Sequence, residues 1–165
     1  IGPNKVPLYL VDGNLSNTAY VDLPKGTMEG TQGTLPGAQA SDEFRKQLLG
    51  VDPKLEDFSY GPEAYDATIL VALAAEAAGN DSGTAIADNI KAVSADGEKC
   101  TTYADCLKLI KDGKDADYDG QSGPIDLNDV GDPSKAIMGV YKYGPENTYT
   151  FEKQEEGDVP DASQG

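Results

Sequence analysis

The stretch that decides the fold is Gly113–Leu127, which reads GKDADYDGQSGPIDL. Before it, apolar residues recur every three or four positions, as they do on one face of a helix. After it, short apolar runs are separated by turn signals that contain glycine and proline. We therefore expect the chain to change at Gly123-Pro124 from a run of helices to a run of strands.

Four helices are predicted before this point, each from its boundary residues. Ser41 can cap a helix whose first turn carries Asp42 and Glu43, and two acids suit the positive end of the helix dipole. A proline near the start and a glycine after the end delimit the longest helix. The predicted ranges are 41–49, 62–78, 83–93 and 101–111.

Strands are predicted on both sides of the helical region, in the ranges 6–11, 27–35, 124–127, 136–143 and 148–152. Residues 153–165 are polar and acidic, and they are predicted to form a disordered tail. The order of elements predicts an α/β protein. It lacks the repeated βα units that complete a sheet, so the sheet is expected to be incomplete.

The charge and composition of the chain narrow its function. It contains 29 acidic and 13 basic residues, for a net charge of −16. Such a surface repels phosphate backbones and anionic lipids, which argues against nucleic acid and acidic membranes as partners. The absence of histidine excludes histidine-dependent triads, histidine metal sites and imidazole acid–base catalysis. With neither a phosphate-binding loop nor a dinucleotide fingerprint present, we predict no enzyme activity and no cofactor.

The two cysteines, Cys100 and Cys106, are separated by five residues. In an exported chain this spacing favours a local disulfide, which adds roughly 2 kcal/mol to stability by the chain-entropy estimate. The alternative is a pair of reduced, buried thiols. Two thiols without histidine make a poor zinc site.

An acidic pattern within the deciding stretch resembles the start of a calcium-binding loop. Asp115, Asp117 and Asp119 alternate before Gly120, and Asp126 stands at the twelfth position, where an EF-hand has glutamate. An EF-hand loop leads into a helix, whereas this one leads into a predicted strand. We therefore predict no metal site. A calcium-stabilised extracellular adhesion or scaffold domain stays the alternative function.

The same residues carry a likeness to a known family. Gly113–Leu127, followed by Gly131-Asp132-Pro133, resembles the closing segment of type I periplasmic solute-binding proteins, the branched-chain amino-acid receptors of ABC transporters. Three further segments agree in the same order: Val11-Asp12-Gly13, residues 29–34 (EGTQGT) and Tyr65-Asp66-Ala67. The cysteine pair is similar to that of actinobacterial members of the family.

The resemblance implies a two-lobed fold with three-layer αβα lobes, of which residues 1–152 form the C-terminal portion. The second lobe would take its strands from 6–35 and 124–152, and the helices of 41–111 would partly belong to the first lobe. The absent first-lobe strands would leave apolar helix surface exposed, so self-association of the chain is expected. An isolated half is also expected to bind ligand poorly or not at all.

The resemblance also implies a function: capture of an amino acid or similar small polar solute between the lobes, and its delivery to a membrane permease. Such receptors are extracytoplasmic, either periplasmic, secreted or anchored as cell-surface lipoproteins. Asp12 and Glu29 match family acids that bind the ligand ammonium. The alternatives are a turn-forming role for Asp12 before glycine and a solvated strand position for Glu29. Asp66 is expected to interact with the helix dipole, and Tyr65 is expected in the core.

Overall fold

Helices and strands are mixed along residues 7–159, the part of the chain that the computed structural model describes. In chain order the elements are β1 (Tyr9–Leu10), a 3-10 turn (Asp12–Asn14), β2 (Gln32–Pro36), α1 (Asp42–Val51), α2 (Gly61–Ala78), α3 (Gly83–Asn89), β3 (Glu98–Cys100), α4 (Tyr103–Lys111), β4 (Ala116–Tyr118), β5 (Lys135–Tyr143) and β6 (Tyr149–Asp158). The predicted α/β class is confirmed at the level of helices combined with two sheets.

The chain divides into two compact units. Among the described residues, 7–36 and 137–156 form unit 1, and 37–136 with 157–159 form unit 2. All four described α-helices lie in unit 2. None of the helices in residues 7–159 is long and apolar enough to cross a membrane.

Unit 1 is built on a four-stranded sheet in the order β1-β2-β5-β6. β1 runs parallel to β2, with Tyr9 opposite Gln32, and β2 runs antiparallel to β5. Because side chains alternate across a strand, one face collects the apolar residues. Its buried core consists of Leu10, Leu15, Met28, Leu35, Tyr141 and Tyr143.

The turn between β5 and β6 is hydrogen-bonded to the loop that precedes β2. Asn147 is 1% exposed and takes a left-handed backbone conformation. Its Oδ1 accepts a hydrogen bond from the Met28 amide, and its Nδ2 donates to the carbonyls of Leu23 and Pro24. These bonds satisfy the polar groups of a buried amide side chain and hold residues 23–28 in turns.

Unit 2 has its core between α2 and the βαβ segment formed by β3, α4 and β4. The fully or nearly fully buried side chains include Leu73, Ala74, Cys106 and Tyr118. β3 and β4 pair in parallel, with Lys99 opposite Asp117 and Cys100 opposite Tyr118. The intervening helix is required because parallel strands cannot be joined by a tight turn.

The predicted helix boundaries are largely confirmed. The Ser41 hydroxyl accepts a hydrogen bond from the Phe44 amide at 3.1 Å, as an N-cap should. α2 carries Pro62 in its first turn and ends at Ala78, and the capping residue Gly79 takes the left-handed conformation. Two predicted ends differ from the structure. α1 continues beyond residue 49 to Val51, and α3 stops at Asn89 rather than at residue 93, with the Asn89 side chain donating to the Ala85 carbonyl.

The predicted disulfide is also confirmed. Cys100 and Cys106 are bonded, with their Cα atoms 5.4 Å apart, and both are buried. The bond ties the end of β3 to the first half of α4. Inaccessible disulfides of this kind are structural rather than redox-active.

Several predicted strands differ from the structure. Residues 124–127 do not form a regular strand: Ile125 packs into the helical core, and Leu127 makes one isolated bridge to Pro133. They also belong to unit 2, whereas the resemblance assigned them to second-lobe strands. The predicted strand 27–35 begins only at Gln32, because the preceding residues are held in turns. β1 is shorter than 6–11, and Val6 lies outside the described residues.

The predicted tail at 153–165 is wrong for its first part. Residues 153–158 continue β6 as an exposed strand beside β5. The nine-residue β5 supplies a long edge whose backbone groups pair with the polar chain. Residues 160–165 lie outside the described range.

Candidate functional site

Asp12 lies just beyond the end of β1, in the 3-10 turn Asp12–Asn14. Its Oδ1 accepts a hydrogen bond from the Gly13 amide at 2.8 Å. The Asn14 side chain stabilises the same turn by accepting from the Val11 amide at 2.8 Å. The residue is exposed, so the turn presents a carboxylate to solvent at the C-terminal end of a parallel strand.

Glu29 lies in a turn before β2 and is exposed, not on a strand as predicted. The register shows how it relates to Asp12. Leu10 pairs with Gly33, and Asp12 follows Leu10 by two residues, whereas Glu29 precedes Gln32 by three. In a parallel pair, these positions lie beyond opposite ends of the strands. The structure therefore does not bring the two carboxylates together at one site.

The most highly organised polar site is the buried carboxylate of Asp66 on α2. Asp66 is 2% exposed. Its Oδ1 accepts from the Tyr118 hydroxyl at 2.7 Å and from the Gln121 amide at 2.9 Å. Its Oδ2 accepts from the Ser122 amide at 2.7 Å and from the Ser122 hydroxyl at 2.6 Å. Four neutral donors thus replace the water that a carboxylate loses on burial.

Gly120 is required by the position of this carboxylate. A Cβ added to Gly120 would overlap Oδ1, Cγ and Oδ2 of Asp66. The loop can therefore wrap around the carboxylate only without a side chain at this position. Two segments that lie far apart in the sequence therefore hold each other in place. They are Tyr65-Asp66-Ala67 and the Tyr118–Ser122 loop.

Burial and hydrogen bonding keep the Tyr118 hydroxyl, one of the four donors to Asp66, protonated. Burial raises the pKa of the Tyr118 hydroxyl well above its ordinary value, and the hydrogen bond and charge of Asp66 raise it further. Tyr118 therefore remains a donor throughout the neutral range. Asp66 was expected to interact with the helix dipole. In the structure its carboxylate instead accepts hydrogen bonds from the Tyr118–Ser122 loop. The expectation that Tyr65 is a core residue is wrong, since it is 41% exposed.

Three of the four acids of the calcium-like pattern converge on a lysine. The Lys99 Nζ lies 3.0 Å from Oδ2 of Asp117, 3.0 Å from Oδ1 of Asp119 and 3.5 Å from Oδ1 of Asp126. Partial burial would lower the pKa of Lys99, but its bonds to Asp117 and Asp119 outweigh this effect and raise the pKa above its ordinary value. No group of three or more histidine, cysteine or acidic residues in 7–159 is placed to hold a metal ion.

Lys99 was not singled out from the sequence, and no short-range signal could have identified it. Its strand β3 has only three residues, too few to show a period. Lys99 reaches the acids because the parallel register sets it opposite Asp117, and register is a tertiary property.

Comparison of the chain with family models, with curated proteins and with solved structures finds no match. The likeness to type I solute-binding proteins therefore stays a prediction from the residues that carry it.

Proposed function

We propose that this chain is part of the substrate-binding component of an ABC importer, the C-terminal portion of a type I binding-protein fold. It would bind an amino acid or similar small polar solute without catalysing a reaction. The observation that supports this proposal best is the division of the chain. The chain leaves unit 1 after Pro36, forms a helical unit over 37–136 and returns to unit 1 at Ile137. A two-lobed receptor requires such passages between lobes.

The position of Asp12 supports the ligand-binding part of the proposal. In open α/β sheets, ligands bind beyond the carboxyl ends of the strands, and Asp12 follows the carboxyl end of β1. A carboxylate there can form a charge-assisted hydrogen bond to a ligand ammonium. Glu29 lies beyond the opposite end of the strand pair, so any ligand contact it makes is proposed as separate from that of Asp12.

The proposed location is extracytoplasmic, either periplasmic, secreted or anchored as a lipoprotein, and the proposed protein partner is the membrane permease. The buried Cys100–Cys106 disulfide supports an oxidising compartment. The alternative calcium-stabilised domain has no observation in its favour, because a lysine ammonium lies among the acids that would bind the ion. The gene sequence upstream of Ile1 tests the class: a signal peptide and first-lobe sequence support it, and a start codon immediately before Ile1 contradicts it.

Substitution of Asp12 by asparagine is expected to weaken ligand binding at least tenfold. The amide removes the negative charge that a ligand ammonium would contact, and hydrogen bonds to charged groups contribute about 1.5–3 kcal/mol. Isothermal titration of the complete gene product with a panel of amino acids measures the effect. Asp22→Asn is the matched control, since it makes the same replacement at an exposed residue of unit 1 that is not a proposed ligand contact.

Two results would contradict this assignment. Asp12→Asn could bind the best ligand of the panel as tightly as Asp22→Asn and the unchanged protein do, which would remove Asp12 from the site. If no small polar solute binds the complete gene product, the receptor function itself is wrong.

The chain by itself is expected to self-associate through α2. Val71 is 45% exposed on a helix whose solvent-facing positions also include Ala64, Ala67 and Thr68. Sedimentation velocity should show a mass that rises with protein concentration, and more steeply at high salt, because salt screens repulsion between chains of charge −16. Val71→Glu should restore the monomer. Val51→Glu, at an 88% exposed position on α1, is the control. A monomer at every concentration would refute the expectation.

A further inference from the structure

We propose that Asp12 is a site of spontaneous covalent modification, at which the aspartate converts through a cyclic succinimide to isoaspartate. The reaction joins a side-chain carboxyl group to the backbone nitrogen of the next residue. A following glycine favours it, because no Cβ hinders the approach of the two groups. The sequence contains four such Asp-Gly pairs, with aspartate at positions 12, 96, 112 and 119.

The turn that carries Asp12 holds the two reacting groups beside each other. The Gly13 amide nitrogen donates to Asp12 Oδ1 at 2.8 Å, so the carboxyl carbon bonded to that oxygen lies close to the same nitrogen. Groups held together in this way react as a concentrated intramolecular pair. Both residues are exposed, and a Cβ added to Gly13 meets nothing within 4 Å. The ring, and the water that opens it, therefore have room.

The glycines of two other pairs are bonded to different acceptors. The Gly113 amide donates to the Ile110 carbonyl at 3.0 Å, and the Gly120 amide donates to the Gly123 carbonyl at 3.2 Å. Each of these nitrogens must first leave a backbone hydrogen bond before it can approach the carboxyl group of its aspartate. The Gly13 nitrogen, in contrast, already contacts the carboxylate that it would attack.

The fourth pair, Asp96-Gly97, is closely packed. A Cβ added to Gly97 would overlap the backbone of Asp115 and Ala116 at the start of β4. Asp96 also takes a left-handed backbone conformation. Ring closure at this pair would have to displace β4, so the structure distinguishes Asp12 from the other three aspartates, which the dipeptide sequence alone does not.

The 3-10 turn around Asp12 is short and exposed, and this favours the movement that ring closure needs. The turn spans three residues, and 3-10 hydrogen bonds have poorer geometry than α-helical ones. Its backbone bonds include those from Asn14 to Val11 at 2.9 Å and from Leu15 to Asp12 at 3.3 Å. Exposed backbone bonds of this kind open at a lower free energy than those of a packed helix.

The reaction balances with water as its only other participant. The Gly13 nitrogen bonds to Cγ of Asp12 in its carboxylic acid form, and the amide hydrogen leaves with the carboxyl hydroxyl as water. Water then opens the ring. Attack at Cγ returns aspartate, whereas attack at the main-chain carbonyl carbon gives isoaspartate, whose backbone runs through Cβ and Cγ. The extra backbone atom lengthens the turn and moves the carboxylate. Loss of ligand binding with age would follow, and this consequence alone rests on the proposed function.

The test is incubation of the folded chain for weeks in mildly acidic buffer, followed by peptide mapping. Electron-transfer fragmentation identifies isoaspartate because it breaks the Cα–Cβ bond that the isomer carries in its backbone. Position 12 should accumulate several times more isoaspartate than any other Asp-Gly pair. In the chain unfolded in urea, all four pairs should react at similar rates, because only folding distinguishes them.

A pair of glycine variants checks the reacting nitrogen. Gly13→Val should remove most of the product at position 12, because a branched side chain hinders the attack. Gly83→Val is the control: it makes the same replacement at another glycine with free space around its Cβ position, which does not follow an aspartate. Circular dichroism verifies that both variants are folded.

Three results would overturn the proposal. They are a folded chain without isoaspartate at position 12, equal amounts at all four Asp-Gly pairs of the folded chain, and an unchanged yield in folded Gly13→Val. Ligand binding enters none of these measurements, so failure of this proposal is distinguishable from failure of the receptor function.

Discussion

Asp66→Asn is expected to lower the free energy of unfolding by about 3 kcal/mol, one of the two largest effects we expect in this chain. The new amide can offer its oxygen to Tyr118 and Gln121 only by turning its NH2 group toward Ser122. There it meets the Ser122 amide, a donor that previously bonded to Oδ2 at 2.7 Å. A buried donor is then left without an acceptor, and leaving a buried polar group unpaired costs more than a hydrogen bond normally contributes.

Equilibrium urea unfolding, followed by far-ultraviolet circular dichroism, measures this change. Asp88→Asn is the control, because it makes the same chemical replacement at an exposed position of α3. Surface replacements of this kind change stability by no more than about 0.5 kcal/mol. If Asp66→Asn and Asp88→Asn unfold at the same urea concentration, the Asp66 network does not stabilise the fold.

Gly120→Ala is expected to destabilise the protein by a similar amount, about 3 kcal/mol. The added methyl group overlaps the Asp66 carboxylate, so either the loop or the carboxylate must move and the hydrogen bonds between them break. The control is Gly50→Ala in α1, where an added Cβ meets nothing within 4 Å. Alanine at that helical position should leave stability unchanged or raise it.

The two replacements report on one interaction, so their effects should not add. In an Asp66→Ala background the carboxylate is gone and the space beside Gly120 is vacant. Gly120→Ala should then cost less than about 1 kcal/mol. A double-mutant cycle by urea unfolding gives the coupling directly, and additive effects would show that Gly120 is needed for some other reason.

Local signals predicted the helices of this chain well. The Ser41 cap, the proline at the start of α2 and Gly79 at its end act within one helical turn, so they can be read from neighbouring residues. The three-residue strands β3 and β4 were missed because so short a segment shows no alternation. Apolar character and the neighbouring turn signals predict a strand over residues 124–127, yet Ile125 packs on the helical core.

The candidate sites likewise combine features that the sequence predicts with features that only folding decides. The sequence pointed to Asp12, and the structure sets it at a strand end in a defined turn. It also pointed to Glu29, but the β1–β2 register places that residue beyond the other end of the strands. The sequence presents Asp66 and the Asp117–Ser122 loop as separate features. Only the structure shows that the Asp66 carboxylate accepts hydrogen bonds from this loop.

By itself, then, the sequence determined the α/β composition, the starts of the helices and the stretch Gly113–Leu127 as the point where helices end, and it favoured the disulfide that the structure contains. Tertiary structure decided what that stretch does: it encloses the Asp66 carboxylate and directs its acids to Lys99. The physical reason is the separation along the sequence of the residues that each feature depends on. Caps, turns and a short disulfide loop depend on residues a few positions apart, whereas burial of a charge and the register of two parallel strands depend on groups that only folding brings together.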